Sequence, residues 1–159
     1  MWLESMASNL IGSIKQLIKA LLYPWYEKRL IRKLDFNQTP HHIGIIVDGN
    51  RRWAKANTVA TKSGHEAGAN KISEFLIWCE EAQVKIVTVW LLSTDNFKRS
   101  QAELDELLKI ISNLVEELSA TKRWNVRLVG ALDVLPEWMA DQFKKLPVNS
   151  GAKLDVNVA

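Results

Sequence analysis

The sequence predicts an α/β fold with a mostly parallel central sheet and helices on both faces. Three observations carry that prediction. Short β-branched runs recur near residues 43–47, 85–93, 125–130 and 154–158, each of strand rather than helix length. The stretches between them repeat their apolar residues at three and four positions, the period of a helix with one buried face. The run Ile86, Val87, Val89, Leu91 and Leu92 is nearly continuous, as expected of a parallel strand buried on both faces. Strands that alternate with helices pair through right-handed crossovers.

Residues 1–36 form an N-terminal segment in which Leu10, Ile11, Ile14, Leu17, Ile18, Leu21, Leu22 and Trp25 recur at helical spacing. Lys15 and Lys19 interrupt the apolar run, so it is neither a simple export signal nor long enough to span a bilayer. Trp25, Tyr26, Lys28, Arg29, Arg32 and Lys33 follow. Two readings stand: an amphipathic helix lying along an anionic membrane, or one covering the protein's own core. Pro24 is expected to kink or restart it. Asn37, Gln38, Thr39 and Pro40 make a polar connection into residues 37–159, the second domain.

The first strand, through Ile43, Ile45, Ile46 and Val47, leads into a short helix ending near Ala56, with Asn50 as its cap. From Ser63 to about Ala82, Ile72, Phe75, Leu76 and Cys79 share a helical face, and Ser63 with Glu66 has capping-box spacing. After the second strand, Gln101–Leu118 is the clearest helix, with Leu104, Leu107, Leu108, Ile111, Leu114, Val115 and Leu118 in register and Ser100 and Glu103 as caps. Asn125–Gly130 reads as a third strand. Pro136–Leu146 reads as a helix with Trp138, Met139 and Phe143 inward, and Leu154, Val156 and Val158 begin a fourth strand. A central strand of this kind normally leads into a covering helix, so the sequence reads as incomplete at its carboxyl end.

With 159 residues and 47% apolar content the chain can build a real core. A net charge of +3 fits an anionic ligand or membrane surface. No arginine-rich stripe with interleaved aromatics is present, which speaks against nucleic acid. Cys79 is the sole cysteine, so no intramolecular disulfide can form, in keeping with a reducing cytoplasm. His41 and His42 have no cysteine or acid cluster at zinc spacing and read as strand-entry residues.

The chemistry gathers where the first strand ends. Asp48 stands at the carboxyl end of that strand and is followed at once by Gly49, Asn50, Arg51 and Arg52. In an open α/β sheet that edge is where ligands bind. A metal-capable carboxylate, a glycine permitting close backbone approach, two guanidinium groups and a helix N-terminus together point to phosphate.

The blocks His42-Ile43-Gly44-Ile45-Ile46-Val47-Asp48-Gly49-Asn50-Arg51-Arg52-Trp53-Ala54, Gly64-His65-Glu66-Ala67-Gly68 and Ser93-Thr94-Asp95-Asn96-Phe97-Lys98-Arg99 resemble the cis-prenyltransferases, the undecaprenyl diphosphate and (Z)-isoprenyl diphosphate synthases. The resemblance runs from about Pro40 to the last residue. The form Gly-Asn-Arg-Arg-Trp is similar to short-chain actinobacterial (Z)-farnesyl diphosphate synthases. What the resemblance implies is condensation of an allylic diphosphate with isopentenyl diphosphate to a (Z)-polyprenyl or short-chain (Z)-isoprenyl diphosphate, with Mg2+ bridging Asp48 and the diphosphate. It further implies a homodimer in intact members, and a cytoplasmic enzyme that can sit peripherally at the inner face of the membrane.

By the same resemblance, Asp48 and Asn96 are the catalytic residues, Asp48 as metal ligand and Asn96 beside the proton to be removed, although a neutral amide is a poor base. Gly49, Asn50, Arg51, Arg52 and Trp53 correspond to the diphosphate cradle. His65, Ser93, Thr94, Asp95, Phe97 and Arg99 complete the substrate site; Asp95 replaces the commoner glutamate and Phe97 the usual tryptophan. Glu103 matches a family glutamate, but its capping position explains it equally well. Thr61 stands where the family often has an arginine. The family's Tyr-Gly-Gly-Arg stretch, Arg-x-Ser segment and later glutamate, which help to hold isopentenyl diphosphate and magnesium, do not occur in this sequence. Leu76, Leu92 and Leu107 are candidate walls for the prenyl tunnel or plain core.

Two other functions compete. One is a non-catalytic prenyl-diphosphate- or membrane-binding chain, or a partner subunit of a complete homologue. The other is a phosphatase with Asp48 as nucleophile, a chemistry that typically wants a second aspartate two residues on, where this chain has Asn50.

Overall fold

The computed structural model describes residues 18, 20 and 22–159; the expected periodicity through Leu10, Ile11, Ile14, Leu17 and Leu21 lies outside them. Two units are distinguished, Met1–Gln38 and Thr39–Ala159. In the first, residues 22–31 are helical (α1), and the helix passes through Pro24 without restarting. A 3-10 turn follows at Phe36–Gln38. Asp35 shapes it by accepting from the Asn37 N–H at 3.0 Å and from Gln38 Nε2 at 3.1 Å. Leu22, Tyr23, Trp25, Tyr26, Leu30 and Ile31 are all exposed on α1, and the Arg29 guanidinium lies over the Trp25 ring at 5.7 Å. Among the described residues no helix is long and apolar enough to cross a membrane.

The second unit is built on a parallel sheet. Its strands are β1 (His42–Ile46), β2 (Ile86–Trp90), β3 (Asn125–Leu128) and β4 (Asp155–Val158), in the order β1-β2-β4-β3. The connecting helices are α2 (Asn50–Ala56) and α3 (Thr61–Glu81) between β1 and β2, α4 (Gln101–Ala120) between β2 and β3, and α5 (Glu137–Lys144) between β3 and β4. The α/β class and the parallel pairing are those the sequence implies.

Register explains where the core sits. Ile43, Val87, Val156 and Val126 form one row across the sheet, and Ile45, Val89, Val158 and Leu128 the next on the same face. Against that face pack Ile72, Leu76 and Cys79 of α3, Leu104, Leu108, Ile111 and Val115 of α4, and Met139 and Phe143 of α5. Val87, Val89, Leu76, Leu108 and Val156 are fully buried; each such side chain contributes roughly 1.5–3 kcal/mol relative to exposure. Burial of β2 on both faces is not observed: Val87 and Val89 are buried, whereas Ile86 and Thr88 are half-buried and Trp90 is exposed. The reason is a polar network on the other face. Thr88 Oγ1 joins His42 Nε2 at 2.8 Å and accepts from Asn157 Nδ2 at 3.2 Å, and Asn125 Nδ2 donates to Asp155 Oδ1 at 2.6 Å.

Several helix ends differ from expectation. Asn50 is the first residue of α2, and Gly49 stands at its N-cap. Glycine takes that place because its φ of +96° lies in the left-handed region that side chains avoid. Helix α3 begins at Thr61 behind Ala60, so Ser63 and Glu66 lie inside it and form no capping box. Ser100 does cap α4, accepting from the Glu103 N–H at 3.3 Å, while the Glu103 side chain turns to Arg99 instead. Trp138 is exposed rather than inward, leaving Met139 and Phe143 as the buried pair of α5.

Candidate active site

Parallel strands deliver their following loops to one edge, and here the loops after β1 and β2 meet there. After β1, Asp48 Oδ1 accepts from the Gly49 N–H at 2.6 Å, and its Oδ2 lies 3.3 Å from Arg52 Nη2. Both side chains are more than four-fifths exposed. This is a solvated ion pair of little energetic weight, free to re-form around a ligand. After β2, Ser93 and Asn96 close a reciprocal capping box on a 3-10 turn (Thr94–Lys98). In it Asn96 Oδ1 accepts from the Ser93 N–H at 2.8 Å. That bond fixes the carboxamide with Nδ2 as a donor, and since a neutral amide is a poor base the arrangement equips Asn96 to donate a hydrogen bond rather than to take a proton.

Arg99 is held more firmly. Its Nη1 lies 3.1 Å from Glu103 Oε1, and the pair is largely buried, at 19% and 27% side-chain exposure. His65, from the first turns of α3, is 7% exposed, and its Nε2 has no hydrogen-bond partner. Burial lowers its pKa below the ordinary 6.5, and the neighbouring Arg99 cation lowers it further, against a smaller opposing effect of Glu103. At neutral pH it is therefore an uncharged imidazole. A buried polar nitrogen without a partner is costly, which marks it as a place where a ligand atom belongs.

Two cavities share these groups. A polar cup of about 320 Å³ is lined by Val47, Asp48, Gly49, Asn50, Arg51, Arg52, His65 and Arg99. An adjoining, more apolar cavity of about 270 Å³ runs from Asp48, Asn50, His65, Ser93, Asn96 and Arg99 down to Ala69, Ile72, Leu107, Ile110, Ile111 and Leu114. Asp48, Asn50, His65 and Arg99 belong to both, so a cationic mouth opens onto an apolar barrel between α3, α4 and the sheet edge.

The expected site residues therefore fall into groups. Asp48, Gly49, Asn50, Arg51, Arg52, His65 and Arg99 meet at the cup, and Ser93 and Asn96 stand at the mouth of the barrel. Thr94 and Phe97 line a second apolar cavity of about 360 Å³ with Leu92, Leu128, Met139 and Phe143. Asp95 is exposed and paired with Lys98 at 2.7 Å, and Trp53 is 48% exposed and lines none of these three cavities. Of the three candidate tunnel walls, Leu107 lines the barrel, Leu92 the second cavity, and Leu76 is plain core. Sequence reasoning missed Ala69, Ile72 and Ile111 as walls. The signal was present: residues 65, 69 and 72 are spaced by four and three, so the face that carries His65 continues down the barrel.

Magnesium needs a different test, since among the described residues no three His, Cys, Asp or Glu side chains cluster as a metal cage. Mg2+ rarely uses such a cage; it keeps waters and binds one or two carboxylates plus substrate phosphates. A single exposed carboxylate, Asp48, at the rim of a cationic cup fits that pattern.

Comparison with known proteins follows the same lines. The Prenyltransf family model, described as undecaprenyl diphosphate synthase, matches residues 46–159. Isoprenyl transferase 1 of Streptomyces avermitilis is 50% identical over 133 residues, 84% of this chain and 52% of its own length. The (2Z,6E)-farnesyl diphosphate synthase of Thermobifida fusca is 48% identical over 130 residues, 81% of this chain and 51% of its own. The short-chain Z-isoprenyl diphosphate synthase of Mycobacterium leprae is 45% identical over 124 residues, with 76% and 47% covered. The chain thus spans about half the length of the curated relatives it matches. Among solved structures, lavandulyl diphosphate synthase from Lavandula x intermedia, in complex with dimethylallyl diphosphate, is similar at a TM-score of 0.66 and 27% identity, covering 76% of this chain and 55% of that one.

Proposed function

This chain belongs to the undecaprenyl diphosphate synthase family of prenyltransferases, and from that premise we propose that its cup and barrel hold an allylic diphosphate for condensation with isopentenyl diphosphate. The product is a (Z)-isoprenyl diphosphate, and pyrophosphate is released. The observation that carries the reading is the continuity of the two cavities through Asp48, Asn50, His65 and Arg99. An allylic diphosphate has the same two halves, a charged head and an apolar tail.

In this mechanism Arg51, Arg52 and Arg99 neutralise the charge that grows on pyrophosphate as it leaves. His65 supplies its unpartnered nitrogen to a phosphate oxygen, and Asn96 donates through Nδ2 and orients the head. Since the neutral Asn96 amide is a poor base, the proton lost from isopentenyl diphosphate goes to a pyrophosphate oxygen. Asp48 would hold Mg2+ against the diphosphate, where the ion, when bound, supplies Lewis-acid stabilisation of the leaving group. The match covers only about half the length of those relatives, so the residues that hold isopentenyl diphosphate belong to this proposal only as far as Ser93 and Asn96. Residues 1–36 are an accessory segment in it, and residues 37–159 the N-terminal part of a catalytic domain. Pairing of two copies and a cytoplasmic location are part of the same proposal, supported by the family resemblance.

Asp48→Ala tests the reading. A charge-assisted contact contributes about 1.5–3 kcal/mol, so Mg2+-dependent binding of dimethylallyl diphosphate by calorimetry should weaken about ten- to a hundred-fold. Dimethylallyl diphosphate binding that is absent, or indifferent to this substitution, rejects it. If binding is intact and isopentenyl diphosphate is not incorporated, the non-catalytic diphosphate-binding alternative holds.

A second reading concerns α1. Its exposed Leu22, Trp25, Tyr26 and Leu30, beside Lys28, Arg29, Arg32 and Lys33, match the composition of an interfacial helix on an anionic bilayer. The protein should sediment with phosphatidylglycerol vesicles and not with phosphatidylcholine ones, and Trp25→Ser combined with Arg29→Glu should abolish this. Equal recovery with both vesicle types would reject it.

A further inference from the structure

Two glycines of α3 lie where a methyl group would strike one residue of α2. A Cβ placed on Gly64 would fall 2.3 Å from the Asn50 carbonyl oxygen and 3.0 Å from Ala54 Cβ. One placed on Gly68 would fall 2.5 Å from Asn50 Oδ1 and 2.9 Å from its Cγ and Nδ2. Elsewhere the requirement vanishes; beside Gly44 there is nothing within 4 Å. Spaced by four, Gly64 and Gly68 share one face of α3 a single turn apart. Asn50 is the residue of α2 that lines both the cup and the barrel. The glycines thus seat one of the four polar side chains standing where the charged and apolar halves of the site meet.

We propose that Gly68 is a positioning residue for the diphosphate site, acting through the Asn50 carboxamide, and that Gly64 is the pivot that lets the start of α2 approach α3. The inference rests on the reading of the cup as a diphosphate site. The two positions differ physically. At Gly68 the conflicting atom is the end of a short side chain, which escapes a new methyl by rotating. At Gly64 it is a backbone oxygen, which moves only if the helix moves. Gly68→Ala therefore displaces a binding group and leaves the fold intact, helped by alanine's better helix propensity. Gly64→Ala separates the helices.

A double-mutant cycle with Gly68→Ala and Asn50→Ala tests this, read by calorimetric titration with pyrophosphate and dimethylallyl diphosphate in Mg2+ and by thermal unfolding. Gly68→Ala should weaken binding about ten-fold or more, as expected for a lost hydrogen bond to a charged group, with a melting temperature no lower than the parent. The double variant should bind no more weakly than Asn50→Ala alone. Additive losses, or parental affinity in Gly68→Ala, would overturn the proposal. A ligand-free readout separates it from the functional reading: in Gly68→Ala the Asn50 side-chain amide resonances should shift while the α2 backbone resonances do not. Unmoved amide resonances sink the inference whether or not the parent binds diphosphate, whereas a parent that binds none sinks only the functional reading. Gly64→Ala should melt lower and shift the α2 backbone; parental melting would remove the pivot.

Discussion

His65 combines two properties that rarely coexist in a resting protein: deep burial and an unpartnered ring nitrogen. Its folded pKa lies below the ordinary 6.5, chiefly through burial and then through Arg99. The unfolded chain therefore takes up the proton first as the pH falls. The stability this group contributes is complete above pH 6.5 and is lost as the pH drops from there through the folded value. His65→Gln should flatten that loss. Urea unfolding at pH 7.5, 6 and 5 would check it, and a variant with the same acid sensitivity as the parent would assign the loss to other groups. The guanidinium groups differ in the same way. Arg52 is solvated and adaptable, whereas Arg99 is held by Glu103 in a half-dry setting where its charge counts for more.

At the scale of elements, three helices end on a residue other than glycine in the left-handed region. Thr58 after α2, Gln83 after α3 and Lys122 after α4 have φ of 56°, 63° and 53°. That conformation costs roughly 1–2 kcal/mol for a residue with a side chain, of which a glycine gives back about 0.4–1 by loosening the unfolded chain. Gln83→Gly should thus raise stability by about 0.5–1 kcal/mol, and β-branched Thr58→Gly by at least as much; chemical denaturation midpoints check both. These ends also show why helix limits were less legible than helix existence. Leu104 to Leu118 announces α4 by its period, but no glycine marks its last turn, so the sequence closes it two residues before Ala120. Asn50 misleads in the same manner: it is a favoured cap residue, yet Gly49 stands at the cap because only glycine takes that φ readily. The site itself was legible because its residues cluster in three short motifs. Its barrel was not, because Ala69, Ile72 and Ile111 look like any other core positions until two helices are seen to part.

For the whole molecule, what the sequence leaves open is which strands are neighbours. Alternation of strands and helices gives a parallel sheet, but nothing in Val126 or Val156 says that the fourth strand lies between the second and third. That order has a kinetic meaning. Among the described residues β3 pairs with β4 alone, and β4 bridges to β2; all the pairings of β4 with β2 join residues far apart along the chain. Contacts so distant are slow to form, and a ribosome-bound chain cannot complete this sheet until residues 155–158 have emerged. Removing 155–159 should leave β3 with unsatisfied backbone groups and strip Val156 and Val158 from the core. The expected result is an exposed, aggregation-prone intermediate with no cooperative melting transition in calorimetry. The strand synthesised after its neighbours is the keystone, since through it alone among the described residues β3 is tied to the rest of the sheet.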